Sequence, residues 1–195
     1  AAKKKQYLDQ AYTSVLNLER IIHGILGASD MTAGKLLMTF EPVDIKEIAE
    51  KLVAERGHLA ANKAITLVTK DFDLPLPKIS ADKLKIREAM ANLIANAINY
   101  TPKGEVCVSL HSSQDNSWVS FCVKDTGIGI KPEEKAKIFR KFTRTEQSTM
   151  VNPNGTGLGL YIVQQIVDAH HGRIEAESQG ENTGSSFKIT LPAIK

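Results

Sequence analysis

The segment Asn92-Leu-Ile-Ala-Asn96-Ala-Ile-Asn99-Tyr100, residues 92–100, carries three amide side chains at spacings of four and three residues. These spacings place the three amides on one face of a helix. An amide can ligate a hard cation through its oxygen and donate to phosphate through its nitrogen, without adding negative charge beside a polyanion. The same spacing also suits a solvent-facing polar stripe on an amphipathic helix, so the segment alone leaves both interpretations open.

A second motif, Asp125-Thr-Gly127-Ile-Gly129-Ile, follows a predicted strand. Its glycines permit a flat ligand to approach the backbone, and the carboxylate can accept hydrogen bonds from an exocyclic amine. Asp and Gly are also common turn residues, so a plain strand-ending turn is the alternative interpretation.

A third motif, Gly155-Thr156-Gly157-Leu158-Gly159-Leu, leads directly into a predicted helix. The free amides and the dipole at a helix start form an anion site, and glycines allow phosphate to reach the backbone. A flexible loop before a helix is the simpler alternative. Dinucleotide binding is disfavoured, because that motif needs a strand immediately before the glycines and a long polar stretch precedes them here.

Around these motifs, the hydrophobic periodicity predicts an α+β fold, a two-layer sandwich with helices on one face of a mixed sheet. Asp44 is the predicted N-cap of one helix, and Ser80 is the predicted N-cap of the helix that carries the amides. The polar stretch 143–154 has no apolar period and is predicted to be a loop. The predicted helices cover residues 45–61, 80–99, 132–139 and 158–170, and the predicted strands cover 65–72, 106–110, 119–123, 173–178 and 185–191.

Residues 1–38 have the pattern of one long helix. The apolar stripe of this helix is wide and therefore typical of a helical bundle. Gly34 and Pro42 end it, with Glu41-Pro42 as a linker, so the predicted domains are residues 1–40 and 41–195. The seam recurs at spacings of three and four through Leu8, Ala11, Val15, Leu18, Ile22 and Ile25.

The composition restricts the class of protein. The 195 residues include 25 Lys and Arg against 22 Asp and Glu, a net charge of +3, which is too weakly basic to indicate nucleic acid as a partner. No apolar run approaches the roughly 20 residues that span a bilayer, so no membrane contact is expected from this segment. Only Cys107 and Cys122 are present, which excludes a disulfide framework and favours a reduced, cytoplasmic setting.

In this order and spacing, the three motifs resemble the ATP-binding catalytic domain of the sensor histidine kinases of bacterial two-component systems. The resemblance implies the GHKL fold shared with DNA gyrase and the MutL repair proteins: a mixed five-stranded sheet and three main helices, with ATP under a mobile lid. This lid is expected at about residues 131–154. The matched boxes are residues 81–100, 125–130, 139–144 and 155–160, followed by a final glycine element at 184–187.

The resemblance also implies a role for each matched residue. Asn96 would ligate the Mg²⁺ that bridges the phosphates, with Asn92 beside it on metal or phosphate. Asp125 would accept from the adenine amino group, and Arg144 and Lys141 would meet the γ-phosphate from the lid. The other nucleotide-binding candidates are Asn99 and Tyr100 after the amide pair, Gly127 and Gly129 around the adenine, and Gly155, Thr156, Gly157, Leu158 and Gly159 at the phosphates.

Two features depart from the family pattern. Asn99 occupies the position of a phosphate-binding lysine, so one positive charge is missing. The phosphoacceptor box, a His followed by an acidic residue and an Arg/Lys-Thr-Pro-like run, does not occur, and none of His23, His58, His111, His170 and His171 is a credible acceptor. Residues 1–38 resemble instead the second helix of the dimerisation and histidine-phosphotransfer domain. The acceptor is therefore expected on a first helix upstream.

Glu88 lies one turn before Asn92 on the same predicted helix face. It is a candidate base toward water or a group that orients an amide. In the related ATPases, the water-activating Glu lies one turn before the metal-binding Asn, a position that Asn92 occupies here. A helix-surface role for Glu88 is therefore the favoured interpretation.

The expected function is that of the kinase core of a two-component sensor, which transfers the γ-phosphoryl group of ATP to a histidine that this segment lacks. The expected partners are a response regulator receiver domain and a second copy of the full-length protein, joined through the helical bundle. The alternatives are a degenerate nucleotide-binding module, a gyrase- or MutL-type ATPase and an anti-sigma-type serine kinase. The ATPase motif, a catalytic Glu with Asp-Asn, is absent because Asn92 and Ala95-Asn96 occupy those positions.

Overall fold

The computed structural model describes residue 15, residues 38–153 and residues 155–194. Chain contacts divide the protein into two compact units, Ala1–Leu37 and Met38–Lys195. Val15 is helical. The rest of the predicted helix over 1–38, including His23 and the resemblance to a dimerisation helix, lies outside the described residues.

A five-stranded mixed sheet forms one layer of the second unit. Its strands, in their spatial order, are β2 (Ile65–Lys70), β4 (Gly104–Ser112), β5 (Trp118–Asp125), β7 (Ser185–Pro192) and β6 (Arg173–Glu177). The pair β2 and β4 is parallel, and the other three pairs are antiparallel. The predicted mixed five-stranded sheet is thus confirmed. The strands β1 (Glu41–Val43) and β3 (Ile79–Ala81) form a separate two-stranded sheet.

Three main helices form the other layer, as predicted. They are α1 (Ile45–Asn62), α2 (Lys83–Tyr100) and α4 (Gly159–Ala169), and a short α3 (Glu146–Val151) lies between the last two along the chain. The strands alternate buried apolar residues with more exposed polar ones, which is typical of a sheet covered on one face. The buried layer includes Leu93, Ile94, Val108, Phe121, Val123, Ile166 and Ile189, each at most 1% exposed.

The starts of the first two helices are capped by aspartates. Asp44 accepts from the backbone N–H of Lys46 at 2.8 Å, which confirms the predicted cap of α1. The prediction of Ser80 as the cap of α2 is wrong, because Ser80 lies within β3 opposite Pro42. Asp82 caps α2 instead, and its Oδ1 accepts from the N–H groups of Leu84 and Lys85, both at 3.1 Å.

The predicted linker Glu41-Pro42 is a strand rather than a linker. Residues Glu41–Val43 pair antiparallel with Ile79–Ala81. A proline is tolerated here because this sheet has only two strands, and each is an edge. Burial of Val43 and Ile79, which are 2% and 1% exposed, stabilises a pairing between segments too short to show a period of their own.

Two predictions for residues 131–154 are wrong. Residues 132–139 form consecutive turns rather than a helix, with bonds from Lys137 N–H to Glu134 O at 2.8 Å and from Arg140 N–H to Lys137 O at 2.9 Å. The predicted loop contains α3, whose N-cap Thr145 forms a reciprocal capping box with Ser148. A six-residue helix without a buried residue has no apolar period, so its only sequence signal is the cap.

No helix among the described residues is both long and apolar enough to span a bilayer.

Gly57 in the interior of α1 provides a test of local helix stability. A Cβ atom added there would have no atom of the described residues within 4 Å. We expect Gly57→Ala to raise the free energy of unfolding by about 0.5–1 kcal/mol, since alanine loses less backbone entropy in a helix. Urea unfolding followed by circular dichroism measures this change. A variant less stable than the wild type would contradict the finding that a side chain at position 57 has free space.

Candidate functional site

A pocket with about 630 Å³ of open space lies between α2, the start of β7, the end of β5 and residues 128–148. Its walls are mostly apolar, with a few polar groups, which is typical of small-molecule sites. Five sequence-predicted site residues line it: Asn96, Tyr100, Asp125, Gly129 and Arg144. The other lining residues are Ala97, Ile128, Ile130, Ile138, Thr143, Thr145, Ser148, Leu160, Ser185 and Phe187.

Asp125, at the end of β5, is the buried carboxylate of this pocket and is 4% exposed. Its Oδ1 accepts from the N–H of Gly127 at 2.8 Å and of Ser185 at 3.3 Å, and its Oδ2 accepts from the Ser185 hydroxyl at 2.6 Å. Burial raises the pKa of Asp125, and the hydrogen bonds from Ser185 and Gly127 oppose that rise. A carboxylate has about four acceptor positions, so these three bonds orient the group and leave acceptor capacity for a ligand.

Ser185 is a site residue to which the sequence analysis assigned no role. It lies directly opposite Asp125 in the register of β5 and β7, and it holds both carboxylate oxygens. The glycine element at 184–187 was the available signal, but the cross-strand register that joins Ser185 to Asp125 is a tertiary feature.

The first glycine motif packs tightly against neighbouring backbone. A Cβ atom on Gly127 would lie 2.2 Å from the carbonyl oxygen of Tyr100, and one on Gly129, whose φ is +70°, would lie 2.0 Å from that of Gly180. Contact between chain segments, and not only the approach of a ligand, therefore requires glycine at these positions.

The turn at residues 178–184 holds this motif in place. The Ser178 hydroxyl accepts from the N–H of Ile130 at 3.0 Å and donates to the carbonyl of Gly184 at 2.7 Å. Glu181 in the same turn contacts residues 131–154 at two places, since it accepts from Lys131 Nζ at 3.1 Å and from Gln147 Nε2 at 2.7 Å. Sequence reasoning singled out neither Ser178 nor Glu181.

Two residues of the amide helix, Asn96 and Tyr100, reach the pocket. A Cβ atom on Gly159 would lie 3.8 Å from Nδ2 and 3.9 Å from Oδ1 of Asn96, so the start of α4 faces this amide. Burial raises the pKa of Tyr100, while the Arg144 charge and a hydrogen bond with Asn152 oppose the rise. Asn92 and Asn99 are on α2 but are not among the lining residues.

The second glycine motif precedes α4, whose N-cap residue Leu158 provides no side-chain hydrogen bond. The backbone N–H of Leu158 itself donates to the Thr156 hydroxyl at 3.3 Å. Gly157 has a φ of +69°, and a Cβ there would lie 2.8 Å from the Phe142 backbone, whereas Gly155 lies against the Arg144 guanidinium. First-turn N–H groups without a side-chain acceptor make this helix start suited to an anion.

Of the three predicted catalytic residues, only Arg144 lines the pocket. Its guanidinium donates to the backbone carbonyls of Ser148 within α3 at 3.2 Å, and of Asn152 and Pro153, the latter at 3.0 Å, directly after that helix. Its buried Nε has no hydrogen-bond partner among the described residues. Lys141 Nζ lies 4.8 Å from the Tyr161 ring centroid, and Glu88 pairs with Lys85 at 3.1 Å on the surface of α2.

No group of three His, Cys, Asp or Glu side chains that could hold a metal ion occurs in the part of the chain that the structure describes. The pocket offers the neutral Asn96 amide instead. Mg²⁺ in nucleotide sites is commonly held by one or two protein oxygens, with the substrate phosphates and water as the other ligands. The residues present therefore fit a cation that is bound together with a phosphorylated ligand.

Residues 81–195 match the family model described as histidine kinase-, DNA gyrase B- and HSP90-like ATPase. The sensor histidine kinase MtrB of Mycobacterium leprae is 31% identical over 179 residues, which cover 91% of this chain and 31% of MtrB. The adaptive-response sensory kinase SasA of Rippkaea orientalis is 33% identical over 197 residues, which cover 100% of this chain and 49% of SasA. The chain thus spans about a third to a half of the length of these relatives.

Solved structures agree with the sequence relatives. Full-length ShkA in complex with AMPPNP is similar with a TM-score of 0.83 and 26% identity, over 100% of this chain and 40% of ShkA. The catalytic domain of the histidine kinase ThkA is similar with a TM-score of 0.66 and 28% identity, over 80% of this chain and 99% of that domain. These likenesses confirm the fold and the family predicted from the four motif boxes. The chain therefore belongs to the histidine kinase-, DNA gyrase B- and HSP90-like ATPase family and carries the ATP-binding catalytic domain found in sensor histidine kinases.

Proposed function

We propose that this chain binds Mg·ATP in the pocket at Asp125 and transfers the γ-phosphoryl group to a histidine, from which it passes to an aspartate of a response regulator. The observation that carries the proposal is the pairing of two features across one pocket: a buried, oriented carboxylate at one side and an uncapped helix start beside Asn96 at the other. The carboxylate suits an amine-bearing base and the helix start suits a polyphosphate, so a ligand that carries both groups fits the pocket.

The adenine end of the nucleotide is assigned to Asp125. Its remaining acceptor capacity suits the exocyclic amine of adenine, and Ser185 holds the carboxylate in the required orientation. Gly127 and Gly129 shape this part of the pocket by holding the 127–130 loop against its neighbours. Tyr100, half-buried at the end of α2, packs along the nucleotide.

The phosphate end is assigned to the start of α4. The backbone of Gly155, Gly157 and Gly159, with Thr156 and Leu158 between them, supplies N–H donors to the phosphates. Asn96 supplies an amide oxygen to Mg²⁺, and Asn92, one turn earlier on α2, supports it. The metal ion would neutralise phosphate charge, which is a major part of catalysis in phosphoryl transfer.

The γ-phosphate is assigned to Arg144 and Lys141. Arg144 now donates to three backbone carbonyls in and directly after α3, so it must give up some of these bonds when it binds phosphate. A phosphate oxygen is a stronger acceptor for guanidinium than a neutral carbonyl, which favours the exchange. Lys141 must similarly leave the Tyr161 ring. Residues 131–154 would then act as a lid whose internal bonds change with the nucleotide.

The domain organisation and the partners are also proposals. Residues 1–40 would contribute a helix to a dimeric phosphotransfer bundle in a longer, cytoplasmic or membrane-anchored protein, and residues 41–195 would be the catalytic domain. The acceptor histidine would be provided by the first helix of the bundle.

A titration with a fluorescent ATP analogue, with and without Mg²⁺, tests the proposal together with a transfer assay. We expect Mg²⁺-dependent binding, no acid-labile, base-stable phosphate on this chain alone, and such phosphate on a complete phosphotransfer domain supplied in trans. Asn96→Ala should abolish the Mg²⁺ dependence, whereas Asn62→Ala, at the exposed end of α1, should retain it. Binding without transfer would support a degenerate nucleotide-binding module, an alternative that is favoured by the asparagine at position 99 in place of the family's lysine. Absence of binding would refute the proposal.

A further inference from the structure

His170 is a buried polar residue to which the proposed function assigns no role. It follows the last residue of α4 and is 2% exposed. Its Nε2 accepts from the backbone N–H of Asp82 at 2.9 Å, and its Nδ1 is 2.7 Å from the carbonyl oxygen of Ile166. Because Nε2 accepts and Nδ1 faces a carbonyl, the ring is the neutral tautomer with its proton on Nδ1.

The chain segment before β1 is attached at the same place. The Thr39 N–H donates to Oδ2 of Asp82 at 3.1 Å, and the Phe40 ring lies 5.2 Å from the His170 ring, tilted by 53°. Asp82 also caps α2 through its Oδ1. Residues 39–40 are thus attached to the start of α2 and to the end of α4 by one cluster of side chains.

These two helices also carry the pocket. Asn96 and Tyr100 lie on α2, Leu160 lies on α4, and Gly159 at the start of α4 faces Asn96. Asp82 and Asn96 are 14 positions apart, which is about 20 Å along a helix. Met38 alone separates residues 39–40 from Leu37, the last residue of the first compact unit. The cluster therefore connects residues 39–40, near the start of the second unit, to both helices of the nucleotide site.

We propose that Asp82 and His170 form a joint that fixes residues 39–40 to the two pocket helices, and that protonation of His170 opens this joint. The joint itself is independent of nucleotide, whereas its influence on nucleotide affinity rests on the proposed function. Asp82 and His170 are positioning residues in this proposal, because neither contacts the pocket.

The direction of the pH effect follows from the contacts of the ring. A second proton on Nε2 would face the Asp82 N–H, so one acceptor would be lost and two donors would be opposed. Burial lowers the pKa of His170, and the charge of His171 lowers it further. The hydrogen bond with the carbonyl of Ile166 and the carboxylate of Asp82 oppose this shift. Phe40 and Ile166 contribute no titratable group. The stabilising contribution of neutral His170 is therefore complete above the ordinary pKa of 6.5, and it is lost as the pH falls from there through the lower pKa of the folded protein.

Asp82 keeps its charge over the same range. Its burial opposes ionisation, but the backbone N–H groups of Thr39, Lys85 and Leu84 lower its pKa overall. Between pH 5 and 8 the titrating member of the joint is consequently His170. If residues 39–40 are released in this pH range, the cause is therefore protonation of the His170 ring.

Hydrogen exchange of the full chain between pH 5 and 8, corrected for the intrinsic pH dependence, tests the joint. We expect the protection of residues 38–43 and 82–85 to fall by about tenfold below pH 6.5 in the wild type, the size of effect of losing one hydrogen bond. His170→Gln should remove this pH dependence. His171→Asn is the matched control, because His171 is exposed and its φ of +55° suits asparagine. This variant leaves His170 in place, so it should keep the pH dependence.

Protection that stays constant from pH 5 to 8 in the wild type, or an unchanged pH profile in His170→Gln, would overturn the proposal. The histidine nitrogen resonances of the wild type offer a measurement without a variant: we expect the tautomer protonated on Nδ1 at pH 7.5, and the other tautomer would refute the joint. Affinity for the fluorescent ATP analogue should fall several-fold below pH 6.5 in the wild type and less in His170→Gln. If the joint depends on pH but no nucleotide binds at any pH, the proposed function would be refuted and the joint would stand.

Discussion

Asp125→Asn is expected to weaken ATP binding by about 10- to 100-fold. The substitution keeps the size of the side chain but replaces one acceptor oxygen by a donor, which cannot accept from the adenine amine or from Ser185. A hydrogen bond to a charged group contributes about 1.5–3 kcal/mol, which corresponds to this range of affinity. Titration with the fluorescent ATP analogue at saturating Mg²⁺ measures the loss, and unchanged affinity would refute the assignment of Asp125 to the base.

The same substitution should make the nucleotide-free protein more stable at neutral pH. Burial raises the pKa of Asp125 in the folded protein, so folding disfavours the charged form. This carboxyl contributes its full stability below its ordinary value of 3.8, and that contribution is lost as the pH rises through the folded pKa. Urea unfolding should therefore show a gain for Asp125→Asn at pH 7 that disappears towards pH 4.

Asp115 in the β4–β5 hairpin is the matched control for this test. Hydrogen bonds from the hydroxyls of Ser113 and Ser117 lower its pKa to about 2, so its charged form is favoured by folding. Asp115→Asn should thus lower stability at neutral pH and leave nucleotide affinity unchanged. An equal response of both variants would mean that the burial of Asp125 has no influence on stability.

Gly184→Ala is expected to lower the free energy of unfolding by about 2–4 kcal/mol. Gly184 is buried, its φ is +73°, and a Cβ atom there would lie 2.0 Å from the backbone oxygen of Asp125. The backbone must move to avoid this contact. The loss of stability therefore has two sources: overpacking against Asp125, and a positive φ that is unfavourable for alanine. Because the movement displaces Asp125 and Ser185, ATP binding should fall with stability.

Gly180→Ala separates these two costs. Gly180 also has a positive φ, of +131°, but a Cβ atom there would meet nothing within 4 Å in the part of the chain that the structure describes. We expect a smaller loss, of about 1–2 kcal/mol, from the conformation alone. Thermal and urea unfolding of both variants provide the comparison, and equal losses would show that contact with Asp125 contributes nothing.

The parts of the fold that were predicted correctly are those with a strong local signal. The buried side of α2 recurs through Ile86, Met90, Leu93 and Ala97, and this period indicates a helix whatever it packs against. Alternation of buried and polar residues similarly identified β5. The predictions that failed concern segments stabilised by distant partners: β1 pairs with β3, and Ser80 lies in that pairing rather than at a helix cap.

The candidate site divides in the same way. Asn96, Asp125 and the glycines were identified from their spacing, because a helix face and a strand end bring such residues together over a few positions. Ser185 and Glu181 were not assigned, since Ser185 meets Asp125 across 60 positions and Glu181 meets Gln147 across 34. The sequence pattern also could not place Arg144 on the carbonyls of α3, because a short polar helix has no apolar period.

Local pattern was sufficient to specify the sandwich, the family and the principal polar residues of the pocket, because periodicity and motif spacing are properties of neighbouring residues. Which oxygens of Asp125 remain for a ligand, what Arg144 contacts and how His170 attaches residues 39–40 depended on tertiary contacts. Such contacts join residues that are distant along the chain, and their hydrogen bonds form only when packing excludes water and sets the register.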